Sequence, residues 1–475
     1  MKGKLVKDIS ANTIQVICNQ VMGLWIFIII SRYLDKSVYG ELNWSLALLT
    51  FVTTILSLRL EQVIVRKAAT GDNPSSLLTV FFGHIVFSGL LFYGILLAGN
   101  SVYPSFFKKH DLLLILAISQ LLSFFSLPFK QIASGKEAFG WVAVMSSVAN
   151  SIRAIGLLYL ILFSSIGIRE VLIIYIISSL AELIVSIYLV RSRLNITLNM
   201  RWHLTAYILL ISESLPQVGV VFLNACIARI DWILLGIFST QVITAEYSFA
   251  YKVFELSPLP MLIIAPVLLS RFSKYFGHSG YGFLKERQTE ISLLIRAEMV
   301  LATALPMILN IIWVPVMDLL THQKYGAVNK TTFFILSLSI PFQYLVNLFW
   351  TVQFSENHLA RIFRITAITC FIIVAGNLIM IPLMNATGAA LVYLFAMIVD
   401  FCIYLYFADF INRQKIWLPL LVCGSIALLS GVGINLFAFP VYVKLILSVT
   451  LYGILILVTQ QVRKNDIVLI KQWLE

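Results

Sequence analysis

Continuous apolar stretches decide what this chain can fold into. Fourteen of them run along its 475 residues, at approximately 11–33, 42–58, 75–98, 111–129, 139–163, 170–190, 214–238, 245–269, 298–320, 331–353, 363–384, 388–408, 416–437 and 440–461. About 20 such residues, wound as a helix, cross the hydrocarbon core of a bilayer with every backbone group hydrogen-bonded internally. The stretches do not alternate apolar and polar residues, which excludes a transmembrane β-barrel. The pattern predicts an all-α polytopic membrane protein of about 14 transmembrane helices.

Composition bounds what the remainder can hold. The chain is 60% hydrophobic and 12% charged, where a soluble domain keeps about a quarter of its residues charged. The segments between spans are too short for a soluble catalytic, nucleotide-binding or nucleic-acid-binding domain. No P-loop, HExxH, DxD or nucleophile-elbow sequence occurs, so the chain reads as a non-enzyme without cofactor or nucleic-acid partner. Cys18, Cys226, Cys370, Cys402 and Cys423 all fall inside apolar spans and form no CxxC or Cys/His cluster, which indicates neither a disulfide framework nor a metal site.

The net charge of +12 is explained by topology. With the N-terminus inside, 22 of the 34 Lys and Arg fall on the inner side and 8 on the outer side. The positive-inside rule then predicts both termini in the cytoplasm and outer loops near Lys108, Arg169 and Lys324. Lys2, Lys4 and Lys7 precede the first span, which ends in Ser31-Arg32-Tyr33 without a small-residue cleavage site and reads as a retained helix. Ile467, Ile470 and Leu474 carry a weak amphipathic spacing, fitting either an interfacial helix or a short solvated tail.

Two halves are visible. Tyr39-Gly40-Glu41 opens the second span and Thr244-Ala245-Glu246 the eighth, 205 residues later; Gly167 and Gly388 sit at equivalent outer turns. Glu182 and Asp400 each fall 12 residues into the sixth and twelfth spans. Such repeats in transporters place the substrate site between lobes near midplane. The expected organisation is an N-terminal lobe at 1–200, a C-terminal lobe at 201–412, and two extra helices with a tail at 413–475.

Several stretches resemble a known family. Arg32-Tyr33-Leu34-Asp35-Lys36-Ser37-Val38-Tyr39-Gly40 is similar to the first outer turn of the polysaccharide (O-antigen type) flippases, within the multidrug/oligosaccharidyl-lipid/polysaccharide exporter superfamily. The central run Ser214-Leu215-Pro216, Arg229-Ile230-Asp231, Leu235-Gly236, Glu246-Tyr247-Ser248, Ala250-Tyr251-Lys252 and Ala265-Pro266 resembles that family's mid-chain pattern, as do Lys324-Tyr325-Gly326 and Gly388-Ala389-Ala390. The likeness covers roughly residues 10 to 410 and departs from the family at Ala245 and Leu60-Glu61. It implies a flippase that moves an undecaprenyl-diphosphate-linked oligosaccharide across a bacterial inner membrane, with a polysaccharide polymerase and a chain-length regulator as candidate partners. The rivals are a cation-coupled multidrug exporter of the same superfamily and a membrane-embedded polysaccharide polymerase or ligase. Such polymerases usually carry a large outer loop, which this chain lacks.

Ionisable residues inside spans face the bundle interior by default. The fifth span carries a polar stripe of Ser146, Ser147, Asn150 and Arg153, and the sixth one of Ser178, Ser179, Glu182 and Ser186. At 1.5 Å per residue Arg153 lies roughly 21 Å from the inner end of its span, Arg229 roughly 13 Å and Lys252 roughly 10 Å from the outer ends of theirs. These three cations are candidates for a diphosphate or acidic sugar. Two readings stand for each: Arg229 and Lys252 bind substrate, or pair with Asp231, Glu246 and Glu255; Arg153 faces a cavity, or pairs with Glu182. Asn12, Gln15 and Asn19 line one face of the first span as a hydrated entrance or a packing seam. Arg59, Arg66 and Lys67 cluster at the inner end of the second span, as a diphosphate contact or a cytoplasmic anchor. Glu182 and Asp400 are candidates for ion coupling or interhelical hydrogen bonding, and His84 reads as a satisfied packing residue.

Overall fold

The computed structural model describes the backbone of residues 2–198, 204–261, 288–408 and 412–463, and side chains over 18–198, 204–261, 291–408 and 412–463. The described residues are helical with no strand. Residues 1–248 and 249–475 form two compact units.

The first unit is built from α1 (Lys2–Tyr33), α2 (Lys36–Leu56), α3 (Leu60–Ala69), α4 (Pro74–Val102), α5 (Pro104–Lys109), α6 (Leu112–Gly135), α7 (Phe139–Phe163), α8 (Ile168–Arg193) and α9 (Leu204–Phe238), with α10 (Gln241–Phe254) running across its boundary. Local chemistry sets the ends. Asn73 caps α4 by accepting the Ser75 and Ser76 amides at 3.0 and 3.3 Å, with Pro74 at the first helical position, where its missing amide costs nothing. Helices α2 and α3 meet at 51° through Leu58 and Arg59, both with φ in the left-handed region at 50° and 60°.

Helix α6 is the hub of this unit, packing against α2, α3, α4 and α8, while α7 packs on α1 and α8, and α2 on α9. Phe81, Ile85, Ile64, Ile132 and Ala133 form the dry seam. At its centre Gly135 lies so close to α3 that a β-carbon would stand 2.6 Å from Ala68 Cβ. Large apolar side chains such as Phe87, Ile95, Phe163 and Leu383 point outward. In water such a surface invites aggregation; against lipid it is ordinary solvent contact, and association rests on close packing and polar contacts.

The second unit contains α11 (Gln288–Thr321), α12 (Lys330–Ser337), α13 (Ile340–Ser355), α14 (Leu359–Tyr406), α15 (Gln414–Asn435) and α16 (Val441–Val458). Helix α14 holds two arms broken at Asn385 (φ 52°, ψ −131°), so the expected spans at 363–384 and 388–408 are joined through a kink. Among the described residues ten helices are long and apolar enough to cross a membrane, or eleven with α2 and α3 taken as one bent span. The chain is thus a multi-pass membrane protein. The expected fourteen included the pair joined in α14, and an eighth span at 245–269 that runs beyond the described residues. The amphipathic tail expected around Ile467, Ile470 and Leu474 also lies outside them.

Candidate functional site

A buried polar ladder crosses the first unit where α6, α7 and α8 meet. On α6, Ser119, Ser123, Ser126 and Lys130 recur at helical spacing and face the stripe on α8. Ser119 and Ser179 hydroxyls lie 2.9 Å apart, Ser123 donates to Ser179 at 3.1 Å and to Glu182 Oε2 at 2.8 Å, and Lys130 forms an ion pair with Glu182 Oε1. Arg153 enters from α7: its Nε donates to Ser178 Oγ at 2.9 Å and Nη2 to Ser179 Oγ at 3.2 Å, and its guanidinium lies 4.4 Å from the Tyr175 ring centroid.

Of the two readings of Arg153, the pair with Glu182 is not the one formed here. The carboxylate of Glu182 is taken by Lys130, and among the described residues no carboxylate lies within ion-pair distance of Arg153. Its positive charge is held by two hydroxyls and a π face, none of which cancels it. Arg153 is partly exposed, and Asn150 stands one turn earlier on the same face of α7. The ladder therefore carries two cations against one carboxylate, with Arg153 near the middle of α7.

The other candidates are distributed differently. Arg229 stacks over Trp232 at 5.1 Å and donates to the Ala228 carbonyl at 3.2 Å. Asp231 accepts the Tyr247 hydroxyl at 2.5 Å and the Trp232 amide at 2.8 Å. Lys252 pairs with Glu255 at 2.8 Å, so for this cation the structural pairing is observed. Arg66 and Lys67 share Glu213 at 2.7 and 2.8 Å; Arg59 sits partly buried in the α2–α3 bend with no ion pair among the described residues. Asp400 accepts from Thr369 at 2.9 Å. His84 bridges the Leu56 carbonyl and the Tyr207 hydroxyl at 2.9 and 3.1 Å, as a packing residue does. Asn19 has a buried Oδ1 that no donor reaches among the described residues, and the side chains of Asn12 and Gln15 lie outside them.

Several of the residues behind the family resemblance interlock. Lys36 pairs with Glu246 at 2.7 Å, Asn43 donates to Ser248 at 3.1 Å, and Trp44 Nε1 donates to the Ile233 carbonyl at 3.1 Å. Gly40 and Gly236 occur where α2 approaches α10 and α9: a β-carbon on the first would collide with the Gln241 carbonyl, and on the second with the Trp44 ring. In the second unit Gly326 donates its amide to Asp318 at 2.7 Å and accepts Trp313 Nε1 at 2.9 Å. These motif positions hold helices together.

His110, between α5 and α6, extends the first cluster. Its ring stacks on Trp44 at 4.0 Å and its Nδ1 faces Gln241 Nε2 at 3.3 Å, with Glu41 accepting the Leu112 amide at 3.1 Å beside it. Burial pushes the His110 imidazole down to about 4; Lys109 adds to the effect and Asp111 opposes it. An unfolded histidine takes up its proton near pH 6.5, so the packing is fully supported above that value and is lost as pH falls from there through about 4. The thermal midpoint of the purified protein is expected to drop across this window, and His110→Phe, which keeps a ring on Trp44, to reduce the drop. An equal drop in both proteins would remove His110 from the explanation.

Comparison with known proteins bears on the fold first. The chain superposes on the lipid II flippase MurJ in an inward closed conformation with a TM-score of 0.73 at 13% identity, covering 94% of this chain and 97% of that one. An inward-facing multidrug resistance MATE family transporter of the MOP superfamily matches at 0.63 and 11% identity, over 84% and 95%. A MOP superfamily transporter from Pyrococcus furiosus, described as having reverse polarity of its binding pocket, matches at 0.58 and 13%, over 84% and 93%. No curated protein matches by sequence. Residues 5–276, more than half of the chain, match the polysaccharide biosynthesis protein family, and the chain belongs to that family.

Proposed function

We propose that this chain is a flippase that carries an undecaprenyl-diphosphate-linked oligosaccharide, an O-antigen or other surface-polysaccharide repeat unit, from the inner to the outer leaflet of a bacterial inner membrane. The observation that carries the reading is Arg153, a guanidinium near the middle of α7 touched by hydroxyls and a ring but, among the described residues, by no carboxylate. A cation held this way is costly in lipid and is explained by an anionic ligand that arrives from outside the fold. A diphosphate has the right charge, and each sugar hydroxyl moved into hydrocarbon without a partner costs several kcal/mol, or about 4 to 8 on a cyclohexane scale. Within this ladder Glu182 is matched by Lys130, so the surplus charge at Arg153 is positive, which favours an anionic ligand there over a cationic drug.

On this reading both termini are cytoplasmic, and the lobes at 1–200 and 201–412, with 413–475 appended, alternate access while the prenyl tail stays in lipid. Arg229 and the partly buried Arg59 extend the cationic path, and the polymerase and chain-length regulator act downstream. A membrane potential of 100 mV, negative inside, favours outward movement of each negative charge by about 2.3 kcal/mol.

The test measures membrane abundance and surface-polysaccharide output together. Arg153→Ala is expected to abolish output at normal abundance, and Arg153→Lys to retain part of it, since Lys supplies charge without the bidentate fork. Full output from Arg153→Ala would defeat the reading.

A further inference from the structure

Four carboxyl side chains are buried among the described residues: Glu182, Asp231, Glu298 and Asp400. Three have donors. Glu182 has Lys130 and Ser123, Asp231 has Tyr247 and the Trp232 amide, and Asp400 has Thr369. Glu298 on α11 is 4% exposed, and no donor reaches its Oε2.

Among the described residues the surroundings supply no counter-charge. Helix α11 packs on α12, α13, α15 and α16. From α13 comes Tyr344, whose hydroxyl already donates to the Ser257 carbonyl at 3.0 Å. From α16 comes Tyr452, committed to Thr303 and the Val300 carbonyl at 2.9 Å each, and from α15 the uncharged Cys423. Helix α12 brings Lys330 only at its N-terminal end, and Arg296, two residues before Glu298, projects from a different face of α11. An ionised carboxylate in such a place pays its full desolvation cost, so the arrangement accommodates the neutral acid. Glu298 stands about 10 Å from the inner end of the span Ile291–Thr321. That depth is within reach of either membrane face in a transporter that hydrates its interior alternately.

We propose that Glu298 is a reversible proton-binding site that couples a proton gradient to the chain's transport. A proton from the outer side adds to the carboxylate oxygen, the neutral acid is buried as seen here, and the same O–H bond breaks when the site is hydrated from the cytoplasm. The substrate moves the opposite way. Only that bond forms and breaks, and no other reactant is needed. What the proton drives rests on the flippase reading; the proton site does not.

The experiment compares wild type, Glu298→Gln and Glu298→Asp at equal reconstituted amounts. A fluorescent undecaprenyl-diphosphate N-acetylhexosamine serves as the probe, and its outward movement is measured with an imposed pH gradient, acid outside, and separately with an imposed potential. An infrared spectrum of each protein in lipid is recorded from acid to alkaline pH. The expected result is that the gradient stimulates wild type and loses all its effect in Glu298→Gln, which keeps its potential-driven rate, while Glu298→Asp keeps part of the stimulation. In the infrared, wild type should show a carboxylic-acid carbonyl band that titrates and that Glu298→Gln lacks. Undiminished gradient stimulation in Glu298→Gln, or a wild type driven by potential alone, overturns the proposal. If wild type moves no probe at all, the flippase reading fails and the infrared decides: a titrating band lost in Glu298→Gln supports the proton site, and its absence overturns it.

Discussion

Lys130→Ala is expected to destabilise the protein by about 3 kcal/mol, the lower end of the range for removing one partner of a buried pair. Glu182 is then left as an unpaired carboxylate with a side chain 7% exposed. Ser123 still donates to its Oε2, which keeps the loss from being larger. The double variant Lys130→Met, Glu182→Gln is expected to recover most of the stability, because it removes both charges while keeping volume and the serine hydrogen bond. Thermal midpoints and membrane abundance of the two singles and the double provide the cycle. If the singles and the double all lose stability additively, Lys130 and Glu182 are independent and the ladder is not a coupled network. The same cycle separates this pair from Arg153, whose replacement by Ala leaves no carboxylate behind and should cost abundance little while costing transport most.

How much of this the sequence alone carries follows from what helical periodicity contains. The stripes Ser146, Ser147, Asn150, Arg153 and Ser178, Ser179, Glu182, Ser186 are visible at 3.6-residue spacing, and Arg153 does meet Ser178 and Ser179. Which carboxylate meets which cation was not readable, since that depends on helix rotation and depth together. Lys130 was missed for a simpler reason: it follows Pro128 and Phe129, where the apolar run of α6 appeared to end, although the helix continues to Gly135. The signal was present in Ser119, Ser123, Ser126 and Lys130, spaced by four, three and four residues. Glu298 stands at the edge of the apolar run 298–320, which hides it among edge charges, whereas α11 begins ten residues earlier at Gln288. For Asp231, adjacency in sequence does not reveal that Tyr247, a residue of a different helix, donates to it.

Gly40→Ala and Gly236→Ala are expected to lower stability by about 1 to 3 kcal/mol or more each, the usual cost of overpacking a close-packed seam. The sign is not obvious from helix propensity, because Ala is preferred to Gly inside a helix by about 1 kcal/mol. Geometry decides it. At Gly40 the new methyl meets the Gln241 backbone carbonyl, which no rotamer change can move away. At Gly236 it meets the Trp44 indole, a side chain pinned by its hydrogen bond to Ile233 and by the His110 ring stacked 4.0 Å away. Relief at either site therefore requires α2 to separate from α9 or α10, which weakens the Lys36–Glu246 and Asn43–Ser248 contacts as well. Gly94, on α4, is the control, since a β-carbon there meets nothing within 4 Å. Gly94→Ala should leave the thermal midpoint unchanged or raise it by the propensity gain alone. If all three substitutions behave like Gly94→Ala, the close approach of α2 to α9 and α10 is not what these glycines are for. If the two clash variants fold poorly while Gly94→Ala does not, the glycines behind the family resemblance mark where helix backbones must touch.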